Sequence, residues 1–560
     1  MPDATDGGGG AAGAGEGGEE TLAAKAFSKA KSGNWSEVRD MAAASPELWR
    51  EKEADGYTLL HWAALSGNIE FAEAAVAAHA EVDMTAENGQ TPLMWASIRG
   101  HVGMCALLLD AKANLYARDS FGASPLILAV QHRVASAILL LLARGDKEKM
   151  MAQTDKNGCG VVHWAAYKGD LSTLKLLKYF DADFKALDDT KMTPLHRAVQ
   201  SSQGSVCEYL LESQVDPAQV DSQGRNALDL AEQNQDVCMR KTLHKLLEVT
   251  QSQVPGVIVN DLEAGGSSRS LKWKQAVGEK KQMDDLKEKA VHNAAATFWF
   301  VSVSLSLFQY LTEVRPVCWE VAPNASFAFE LGVPLSLSLF LLTVWSDPGK
   351  VAPRVKGISG VEELMRALSS PTLDKASPPD CSKLCTTTWI LKRPRMKYCQ
   401  RTGACVEEFD HFCGWLNVAI GKGNHRPFIF LALIETSTQL CHLYLCWTAA
   451  SQLVKSESLG AWFAAVGVMY PLTAMMIVLQ GFTIPGVLML CFHQLRLIVI
   501  NMTTNEVINC HRYDHFWREV KNEFGGMRRV FFNPFHKGNG FANCIDFWWT
   551  RRRSELGPGL

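Results

Sequence analysis

The sequence has no strong charge of either sign. Its 560 residues carry 56 lysines and arginines against 59 aspartates and glutamates, which gives a formal net charge of −3. Proteins that bind nucleic acid usually concentrate positive charge on the binding domain. The overall balance therefore gives no indication of a nucleic-acid partner.

The amino terminus lacks the parts of a secretory signal peptide. Residues 1–20, MPDATDGGGGAAGAGEGGEE, have neither a basic start nor a following apolar stretch. A glycine-rich segment with so few large apolar side chains cannot build a core. We expect these residues to form a disordered tail.

A compact cysteine framework is also missing. The 15 cysteines are spread over the chain and fall within helical patterns. Such spacing favours a reducing compartment over a disulfide-stabilised secreted fold. The length exceeds what one hydrophobic core supports, so we expect two or more domains.

Long apolar runs are absent before about residue 290, and a repeated pattern occupies that half of the chain. Fragments such as DGYTLLHWAALSGN, NGQTPLMWASIRGH and NGCGVVHWAAYKGD share one motif. Successive turn positions are 33, 33, 36, 33 and 33 residues apart, at Gly56, Gly89, Gly122, Gly158, Lys191 and Gly224. A period of this length indicates a repeat protein.

The repeated residues have clear structural uses. Glycine allows the backbone of a tight turn, and proline after threonine suits the first turn of a helix. The pattern resembles the ankyrin repeat over roughly residues 50–247, and Leu22–Trp49 resembles an amino-terminal capping unit. The resemblance implies an ankyrin solenoid over residues 21–247, with about six repeats and a groove that binds proteins.

Three tryptophans recur at the same place in the motif. Trp62, Trp95 and Trp164 each follow the first leucine or valine residues of the first helix in their repeat. Two interpretations stay open for them. They anchor an extended peptide of a protein partner in the groove, or they pack between neighbouring repeats.

The second half of the chain contains long uncharged apolar runs. A polar, basic segment at residues 248–290 precedes them and is interpreted as a linker. Apolar runs of this length predict membrane-spanning helices. We expect two spans within residues 291–346 and two within 426–500, with an interfacial piece near residues 461–470.

Basic residues set the expected topology. The segments KVAPRVK and KRPRMK flank one loop, and the tail at residues 501–560 is basic as well. Because basic loops stay on the cytosolic side, we expect the loop at 347–425 and both termini in the cytosol. The protein is then expected to be a multi-pass membrane protein, and we expect its location to be the Golgi or another endomembrane.

Four short motifs lie in this loop and tail, three of them at membrane boundaries or between spans. They are DPG (Asp347, Pro348, Gly349), DHFC (Asp410 to Cys413), TTNE (Thr503 to Glu506) and an NPF segment that leads to Asn543. Together with the repeats they resemble the ankyrin-bearing DHHC protein S-acyltransferases, which are membrane palmitoyltransferases. The implied fold is all-α: an ankyrin solenoid, then a polytopic helical membrane domain with an irregular cytosolic cysteine-containing loop domain.

The resemblance implies a role for each motif. Cys413 takes a fatty acyl group, palmitoyl, from acyl-CoA as a thioester and passes it to a cysteine of a substrate protein. A thiol needs help to ionise at neutral pH, so His411 serves as base and Asp410 orients it. Thr504 contacts Asp410, and the supporting set is Thr503, Thr504, Glu506, Asn543, Asp347, Pro348 and Gly349.

The two structural zinc sites of that family are incomplete in this sequence. The first set of ligand positions reads Cys385, Thr388, Tyr398 and Cys405, and the second reads Cys399, Thr402, Phe412 and Ala419. Only Cys385, Cys399 and Cys405 remain as candidate ligands, whereas structural zinc needs four N, S or O ligands. A distorted first site that includes Cys381 stays open; otherwise we expect an apolar cluster around Phe412, Tyr398 and Leu416 in place of metal.

Several other polar residues have more than one interpretation. Glu435 and His442 fall inside the third predicted span, where they are functional, paired or oriented towards the interface. His425 is expected to satisfy a local backbone hydrogen bond. Four basic residues lie close together in the loop: Lys392, Arg393, Arg395 and Lys397. They either mark the cytosolic side of the membrane or bind coenzyme A phosphates or anionic lipid.

Two functions from different classes follow. The first is an active S-acyltransferase whose ankyrin array recruits substrate proteins, and it is favoured by the intact Asp410, His411 and Cys413. The alternative is a catalytically inactive, membrane-anchored ankyrin scaffold, favoured by the incomplete zinc sets. An ion channel is disfavoured because no acidic ring or pore loop lies between the predicted spans.

Overall fold

The structure is a computed structural model that describes residues 21–233, 294, 297–456, 458–521, 527–550 and 553–554. These residues form two units. One contains the amino-terminal repeats and Val361–Ser382, and the other contains the apolar helices and the chain from residue 383 onward. The predicted tail at 1–20 and the predicted linker at 248–290 lie outside the described residues.

The first unit is a stack of short helix pairs that follow the repeat period. Two capping helices come first, and α9 falls in the one interval of 36 residues. The helices are α1 (Leu22–Lys31), α2 (Trp35–Ala44), α3 (Leu59–Ser66), α4 (Ile69–Ala77), α5 (Pro92–Arg99), α6 (Val102–Asp110), α7 (Pro125–Gln131), α8 (Ala135–Arg144), α9 (Lys147–Met151), α10 (Val161–Lys168), α11 (Leu171–Tyr179), α12 (Pro194–Gln200), α13 (Gly204–Glu212) and α14 (Ala227–Gln233). A 3₁₀ turn at Pro46–Trp49 joins the cap to the first repeat. The rest of the sixth predicted repeat, residues 234–247, lies outside the described residues.

The repeat motif explains how each pair begins. The hydroxyl of Thr91 accepts a hydrogen bond from the N–H of Met94 at 3.4 Å, and Pro92 occupies the first turn of α5. Gly89 has a φ of +74°, and a Cβ there would lie 2.8 Å from the backbone nitrogen of Ser120. The turn therefore needs glycine both for its backbone conformation and for its space.

Buried histidines join consecutive repeats. Nε2 of His61 lies 3.0 Å from the carbonyl oxygen of Gln90, while its Nδ1 accepts the N–H of Thr58 at 3.1 Å. Burial lowers the pKa of His61 to about 4, so the ring is neutral and donates through Nε2. His163 and His196 make the same inter-repeat contact, at 3.1 and 3.2 Å. These bonds link each repeat to the next.

A segment of the predicted cytosolic loop belongs to this first unit. This segment contains helix α17 (Gly360–Ser369); helices α15 and α16 are given below. The carbonyl oxygen of Leu368 in α17 accepts a hydrogen bond from Nε of Arg144 in α8 at 3.1 Å. Lys375 forms an ion pair with Asp110 at 3.0 Å. The region predicted as one loop domain, residues 347–425, is thus divided between the two units.

The second unit is built around long apolar helices. Residues 297–309 are helical and continue through a π-helical turn at Tyr310–Val314 into α15 (Arg315–Val321). Three described helices are long and apolar enough to cross a membrane: α16 (Pro323–Trp345), α18 (His425–Leu453) and α20 (Pro471–Ile500). A shorter apolar helix, α19 (Leu459–Met469), precedes the last of them. The chain is a membrane protein. The first predicted span starts at the edge of the described residues, so the total of four spans remains a prediction.

Helices α16 and α18 approach closely at a glycine. A Cβ on Gly332 would lie 2.3 Å from the hydroxyl oxygen of Thr438. Small residues allow this approach where helix association depends on packing and not on exclusion of water. Near this contact the ring of Phe329 stacks on that of His442 at 4.6 Å.

Short antiparallel strands organise the cysteine-containing loop and the tail. The strands are β1 (Lys350–Val351), β2 (Lys397–Cys399), β3 (Ala404–Val406), β4 (His411–Cys413), β5 (Val418–Ile420), β6 (Trp517–Lys521) and β7 (Met527–Phe531). They pair as β1-β3-β2, β4-β5 and β6-β7. The remaining elements are α21 (Thr504–Asn509), α22 (Gly540–Ile545), 3₁₀ turns at Cys381–Lys383, Cys510–Arg512 and Asp514–Phe516, and a π-helical turn at Asp546–Thr550. The fold is otherwise helical.

Candidate active site

The β4–β5 hairpin positions the DHFC motif. His411 pairs with Ile420 and Cys413 pairs with Val418. Because side chains alternate along a strand, His411 and Cys413 share one face and Phe412 takes the other. Asp410 lies just before the strand and is fully buried.

Asp410, His411 and Cys413 form a hydrogen-bonded series. Oδ2 of Asp410 lies 2.7 Å from Nδ1 of His411, and the imidazole is also hydrogen-bonded to Cys413. Thr504 donates to Asp410 twice, from its backbone N–H at 2.7 Å and from its hydroxyl at 2.8 Å. The predicted contact of Thr504 with Asp410 is therefore present. The arrangement brings a thiol, an imidazole and a carboxylate together.

The surroundings shift both ionisable groups of this series. Burial opposes the charged form of Asp410, yet the imidazoles of His425 and His411 and the N–H of Thr504 hold the pKa of that carboxyl well below its usual range. Burial also disfavours the imidazolium of His411, but its bonds to Asp410 and Cys413 raise the pKa of His411 to about 9. Asp410 is thus a carboxylate that stabilises positive charge on the ring.

A second series of hydrogen-bonded side chains, from other parts of the chain, ends at Asp410. Nε2 of Gln494 donates to Oδ2 of Asp410 at 3.2 Å, and Oε1 of Gln494 lies 3.0 Å from Nε2 of His425. Nδ1 of His425 lies 3.2 Å from Nη1 of Arg553. The prediction that His425 satisfies a local backbone hydrogen bond was wrong, because both ring nitrogens contact side chains from distant parts of the chain. No local motif marks Gln494 or Arg553, and the basic run around Arg553 resembles an ordinary cytosolic tail.

The TTNE motif is fixed by a buried arginine. Thr503 and Glu506 cap α21 reciprocally, with the N–H of Thr503 donating to Glu506 at 2.9 Å. Nε of Arg395 lies 3.0 Å from Oε1 of Glu506, and Nη1 of Arg395 donates to Oδ1 of Asn501 at 2.9 Å. Since the side chain of Arg395 is fully buried, the interpretation that it binds phosphate or lipid was wrong. Arg393, in contrast, keeps 77% of its side chain exposed.

The other supporting motifs fasten chain segments near the site. Asp347 accepts the N–H of Gly349 at 3.1 Å, and the carbonyl of Gly349 accepts from Glu407 at 3.0 Å. Pro348 accepts the N–H of Gly423 at 3.3 Å. The DPG turn thus ties the end of α16 to the segments on either side of the DHFC hairpin.

Asn543 holds the tail against a membrane helix. Its Nδ2 donates to the carbonyl of Val499 at 2.7 Å, and its Oδ1 accepts from Lys537 at 2.8 Å. These bonds attach α22 to the end of α20. The helix that Asn543 contacts is the one that carries Gln494.

We call Asp410, His411 and Cys413 the triad. A cavity of about 700 Å³ lies beside it within the second unit. His411 and Cys413 line it together with aromatic and aliphatic residues of the hairpin and the membrane helices. Trp299 and Phe340 stack at 4.5 Å on its wall. Glu435 and His442 from the third predicted span also line it. The thiol therefore adjoins a mainly apolar space.

The positions that correspond to zinc ligands do form two clusters, but with the wrong side chains for a metal. Cys385 and Cys405 pack with Ile390 and Met396, and the hydroxyl of Thr388 lies 3.2 Å from Sγ of Cys405. At the second set, Cys399 and Ala419 pack with Val406, Phe409 and Phe412. Over the described ranges, no group of three or more His, Cys, Asp or Glu residues is arranged to hold a metal. These donors do not make a four-ligand zinc site.

The three tryptophans of the repeats belong to the first unit, whereas the triad belongs to the second. Each is half-buried and donates through Nε1 within its own repeat, to Glu53, Gln90 and Asp155 respectively. Tyr57 contacts Trp95 with a ring separation of 4.7 Å. Both earlier interpretations, peptide anchor and packing between repeats, remain compatible with this partial exposure.

Comparison with known proteins gives two family matches in the same chain. Residues 379–511 match the DHHC palmitoyltransferase family, and residues 37–119, 60–153 and 162–251 match ankyrin repeats. The first match contains the triad and the TTNE motif. The second covers the helix pairs from α3 to α14.

Individual relatives agree with these matches. Palmitoyltransferase AKR1 of Lachancea kluyveri is 27% identical over 428 residues, which cover 69% of this chain and 57% of that protein. Palmitoyltransferase ZDHHC17 of Danio rerio is 25% identical over 589 residues, covering 91% of this chain and 85% of that protein. Palmitoyltransferase ZDHHC9 of Homo sapiens is 26% identical over 264 residues, 45% of this chain and 67% of that protein. The chain is a membrane protein that combines ankyrin repeats with a DHHC palmitoyltransferase domain.

Proposed function

We propose that the chain is a protein S-acyltransferase that moves a fatty acyl group, palmitoyl, from acyl-CoA to cysteines of substrate proteins. The observation that carries this proposal is the position of His411. Its imidazole is hydrogen-bonded to Asp410 on one side and to Cys413 on the other, beside a mainly apolar cavity. A thiol nucleophile is activated by an adjacent base, which a third group holds in orientation.

The first step loads the enzyme. His411 accepts the proton of the Cys413 thiol, and the thiolate attacks the thioester carbonyl carbon of acyl-CoA. A carbon–sulfur bond to Cys413 forms while the carbon–sulfur bond to coenzyme A breaks. The leaving thiolate takes the proton from His411, so the products are acyl-Cys413 and free coenzyme A. Asp410 holds the ring and stabilises the imidazolium.

The second step unloads it. His411 accepts the proton of the substrate cysteine, whose thiolate attacks the carbonyl carbon of acyl-Cys413. The new thioester forms, the bond to Cys413 breaks, and the Cys413 thiolate regains the proton from His411. The enzyme returns to its starting state with no net proton gained or lost.

The cavity suits the acyl chain of such a substrate. Its part nearest the triad is lined by Trp299, Phe340, Leu416 and Phe428, which bury apolar surface from water. A volume of about 700 Å³ lies in the usual range for sites that enclose a ligand. The polar coenzyme A head would remain on the cytosolic side, outside this space.

The two apolar clusters at the positions of the zinc ligands stabilise the cysteine-containing loop in place of zinc. Phe412 packs with Cys399, Phe409 and Ala419 on the face of β4 opposite Cys413. Arg395 and Glu506 add a buried ion pair that joins the loop to the TTNE segment. We infer that the loop keeps its shape through these contacts and without a metal.

We assign recruitment of substrate proteins to the ankyrin array, with Trp62, Trp95 and Trp164 as contacts for an extended segment. Their partial exposure and the groove typical of such solenoids support this assignment. For location we propose an endomembrane such as the Golgi, with both termini and the loop at 347–425 in the cytosol, on the basis of the basic segments.

A catalytically inactive scaffold is the alternative, and the incomplete zinc sets favour it. One experiment separates the two. The purified chain is incubated with labelled palmitoyl-CoA, and a label that hydroxylamine releases is expected. Cys413→Ser should abolish that label, while Cys510→Ser, at a half-buried cysteine of the tail, should retain it.

The outcomes are distinct. No label on the folded chain, or a label that survives Cys413→Ser, would leave only the scaffold. Hydroxylamine sensitivity matters because it identifies a thioester rather than acyl chains bound without a covalent bond. Retention of label by Cys510→Ser excludes a general effect of cysteine removal.

A further inference from the structure

The lining of the cavity beside Cys413 is mainly apolar and also contains polar side chains. The part near the triad is lined by aromatic and aliphatic side chains, among them Trp299, Phe340 and Phe428. Farther along α18 and α20, apolar residues such as Leu479 alternate in the lining with six polar side chains: Glu435, Thr438, Gln439, His442, Gln480 and Thr483. An acyl chain long enough to fill the cavity would meet both. We call the second set the polar belt.

The farthest members of the polar belt lie deep in the membrane helices. On α18, His442 follows Phe428 by 14 residues, and Phe428 packs in the same cluster as Cys413. On α20, Gln480 precedes Gln494 by 14 residues, and Gln494 contacts Asp410. At about 1.5 Å of rise per residue, both helices place this end roughly 21 Å from the triad. The distances along α18 and α20 agree with each other, as they should for two residues, His442 and Gln480, that are hydrogen-bonded.

The hydrogen bonds of this end leave one acceptor free. Nε2 of Gln480 lies 2.6 Å from Nδ1 of His442, and Nε2 of His442 lies 2.9 Å from Oε1 of Gln309. The amide nitrogen of Gln480 therefore donates to His442, and the ring donates onward to Gln309. Oε1 of Gln480 has no hydrogen-bond partner within the described part of the chain, although the residue is only 5% exposed.

A second polar atom of the wall is in the same state. The hydroxyl of Ser336, on α16, is buried and has no partner among the described residues. Ser336 and Gln480 both line the cavity. A buried acceptor without a donor is unfavourable, and a methylene chain laid against it would keep it so. A hydroxyl group on the ligand would satisfy it.

We propose that the cavity favours an acyl chain with a hydroxyl group at its far end, an ω-hydroxy fatty acyl group, over the unsubstituted chain of the same length. The hydroxyl donates to Oε1 of Gln480, beside His442, while the methylene part fills the apolar section. Sites built to hydrogen-bond a substrate hydroxyl discriminate against the analogue that lacks it. The inference rests on the proposed S-acyltransferase function and specifies its substrate class.

The test compares initial rates of Cys413 loading by four acyl-CoAs on the full chain in detergent. They are palmitoyl, ω-hydroxypalmitoyl, 2-hydroxypalmitoyl and decanoyl-CoA. We expect ω-hydroxypalmitoyl-CoA to load about tenfold faster than palmitoyl-CoA at limiting concentration. The 2-hydroxy isomer, whose hydroxyl lies next to the thioester, should show no such gain. It controls for polarity of the acyl-CoA as such.

Two neighbouring variants isolate the acceptor. Gln480→Met replaces the amide by an apolar side chain of similar length and should reduce the ratio of ω-hydroxypalmitoyl to palmitoyl loading to about one or below. Leu479→Met introduces the same residue at the adjacent cavity position and should keep the wild-type ratio. Because each ratio is taken within one variant, a change in the folded fraction cancels.

Each other outcome overturns the inference in a recognisable way. Equal or faster loading by palmitoyl-CoA, or a ratio that Gln480→Met leaves unchanged, refutes the hydroxyl contact. Preference for decanoyl-CoA over both long chains means that acyl chains end before the polar belt. A folded chain that none of the four labels refutes the proposed function itself, and with it this inference.

Discussion

Nη1 of Arg553 lies 3.2 Å from Nδ1 of His425, and this contact fixes the direction of a series of hydrogen bonds. A guanidinium only donates, so Nδ1 of His425 accepts and its Nε2 carries the proton. Nε2 then donates to Gln494, whose amide nitrogen donates to Asp410. The series starts in the carboxyl-terminal tail and ends on the carboxylate that orients His411.

Replacing Arg553 should slow loading of Cys413. Arg553→Gln removes the charged donor that sets the tautomer of His425, so Gln494 loses its fixed orientation and its bond to Asp410 is weakened. We expect the loading rate to fall by about 10- to 100-fold, the range for misplaced catalytic groups. The rate is measured with labelled palmitoyl-CoA at saturating concentration, alongside thermal unfolding.

Arg393→Gln provides the matched control, since it makes the same substitution at an arginine with 77% of its side chain exposed. Arg553→Lys keeps a charged donor and should recover part of the rate. Equal losses in Arg553→Gln and Arg393→Gln would contradict the positioning role. Loss of rate only in proportion to loss of folded protein would contradict it as well.

The pH dependence of loading should report the Asp410–His411 bond. The pKa of His411 is raised to about 9, so the neutral base needed to accept a proton increases as pH rises through about 9. Asp410→Asn removes a bond that raises this pKa. The midpoint of the rate profile should then move to lower pH, towards the ordinary value of about 6.5, while the plateau rate falls.

Initial rates between pH 6 and 10 test this, with Cys413→Ser as the blank for uncatalysed labelling. A midpoint that stays in place or moves to higher pH in Asp410→Asn would refute the assignment.

The raised pKa of His411 also makes the folding stability depend on pH. Because the folded pKa of His411 is raised, its contribution is complete below about pH 6.5 and is lost as pH rises through about 9.

The cysteine-containing loop should depend on Phe412 and not on zinc. Phe412→Ala removes packing against Cys399, Phe409 and Ala419, and we expect it to lower the free energy of unfolding by about 2 kcal/mol because the ring is only partly buried. A strong zinc chelator should change neither the unfolding temperature nor the loading rate. Phe412→Leu, which keeps most of the apolar volume, serves as the control. Chelator sensitivity of the wild-type chain would refute the metal-free bracing.

Local pattern pointed to residues that the structure brings together in the candidate site. The DHFC and TTNE motifs predicted Asp410, His411, Cys413 and Thr504, because each motif is contiguous and carries its own chemistry. The repeat period likewise predicted the helix pairs of the first unit, since each turn glycine and each capping threonine acts on its near neighbours. These are short-range effects.

The residues that sequence reasoning missed act over long separations. Arg395 contacts Asn501 across 106 positions and Arg553 across 158. Such a contact leaves no periodicity or spacing in one sequence, so a buried arginine looks the same as an exposed member of a basic run. His425 was misjudged for this reason, since its partners Gln494 and Arg553 are far along the chain.

The close approach of α16 and α18 at Gly332 should be sensitive to a single methyl group. A Cβ there would lie 2.3 Å from the hydroxyl oxygen of Thr438, too close without movement of one helix. We expect Gly332→Ala to lower the free energy of unfolding by about 1–3 kcal/mol. Adding Thr438→Ala should return much of that loss because it makes room for the methyl group, a coupling that a double-mutant cycle measures. Gly481→Ala on α20, where a Cβ meets open space, is the control and should be neutral or slightly stabilising. Additive effects of Gly332→Ala and Thr438→Ala in thermal unfolding would show that the two helices do not meet at this pair.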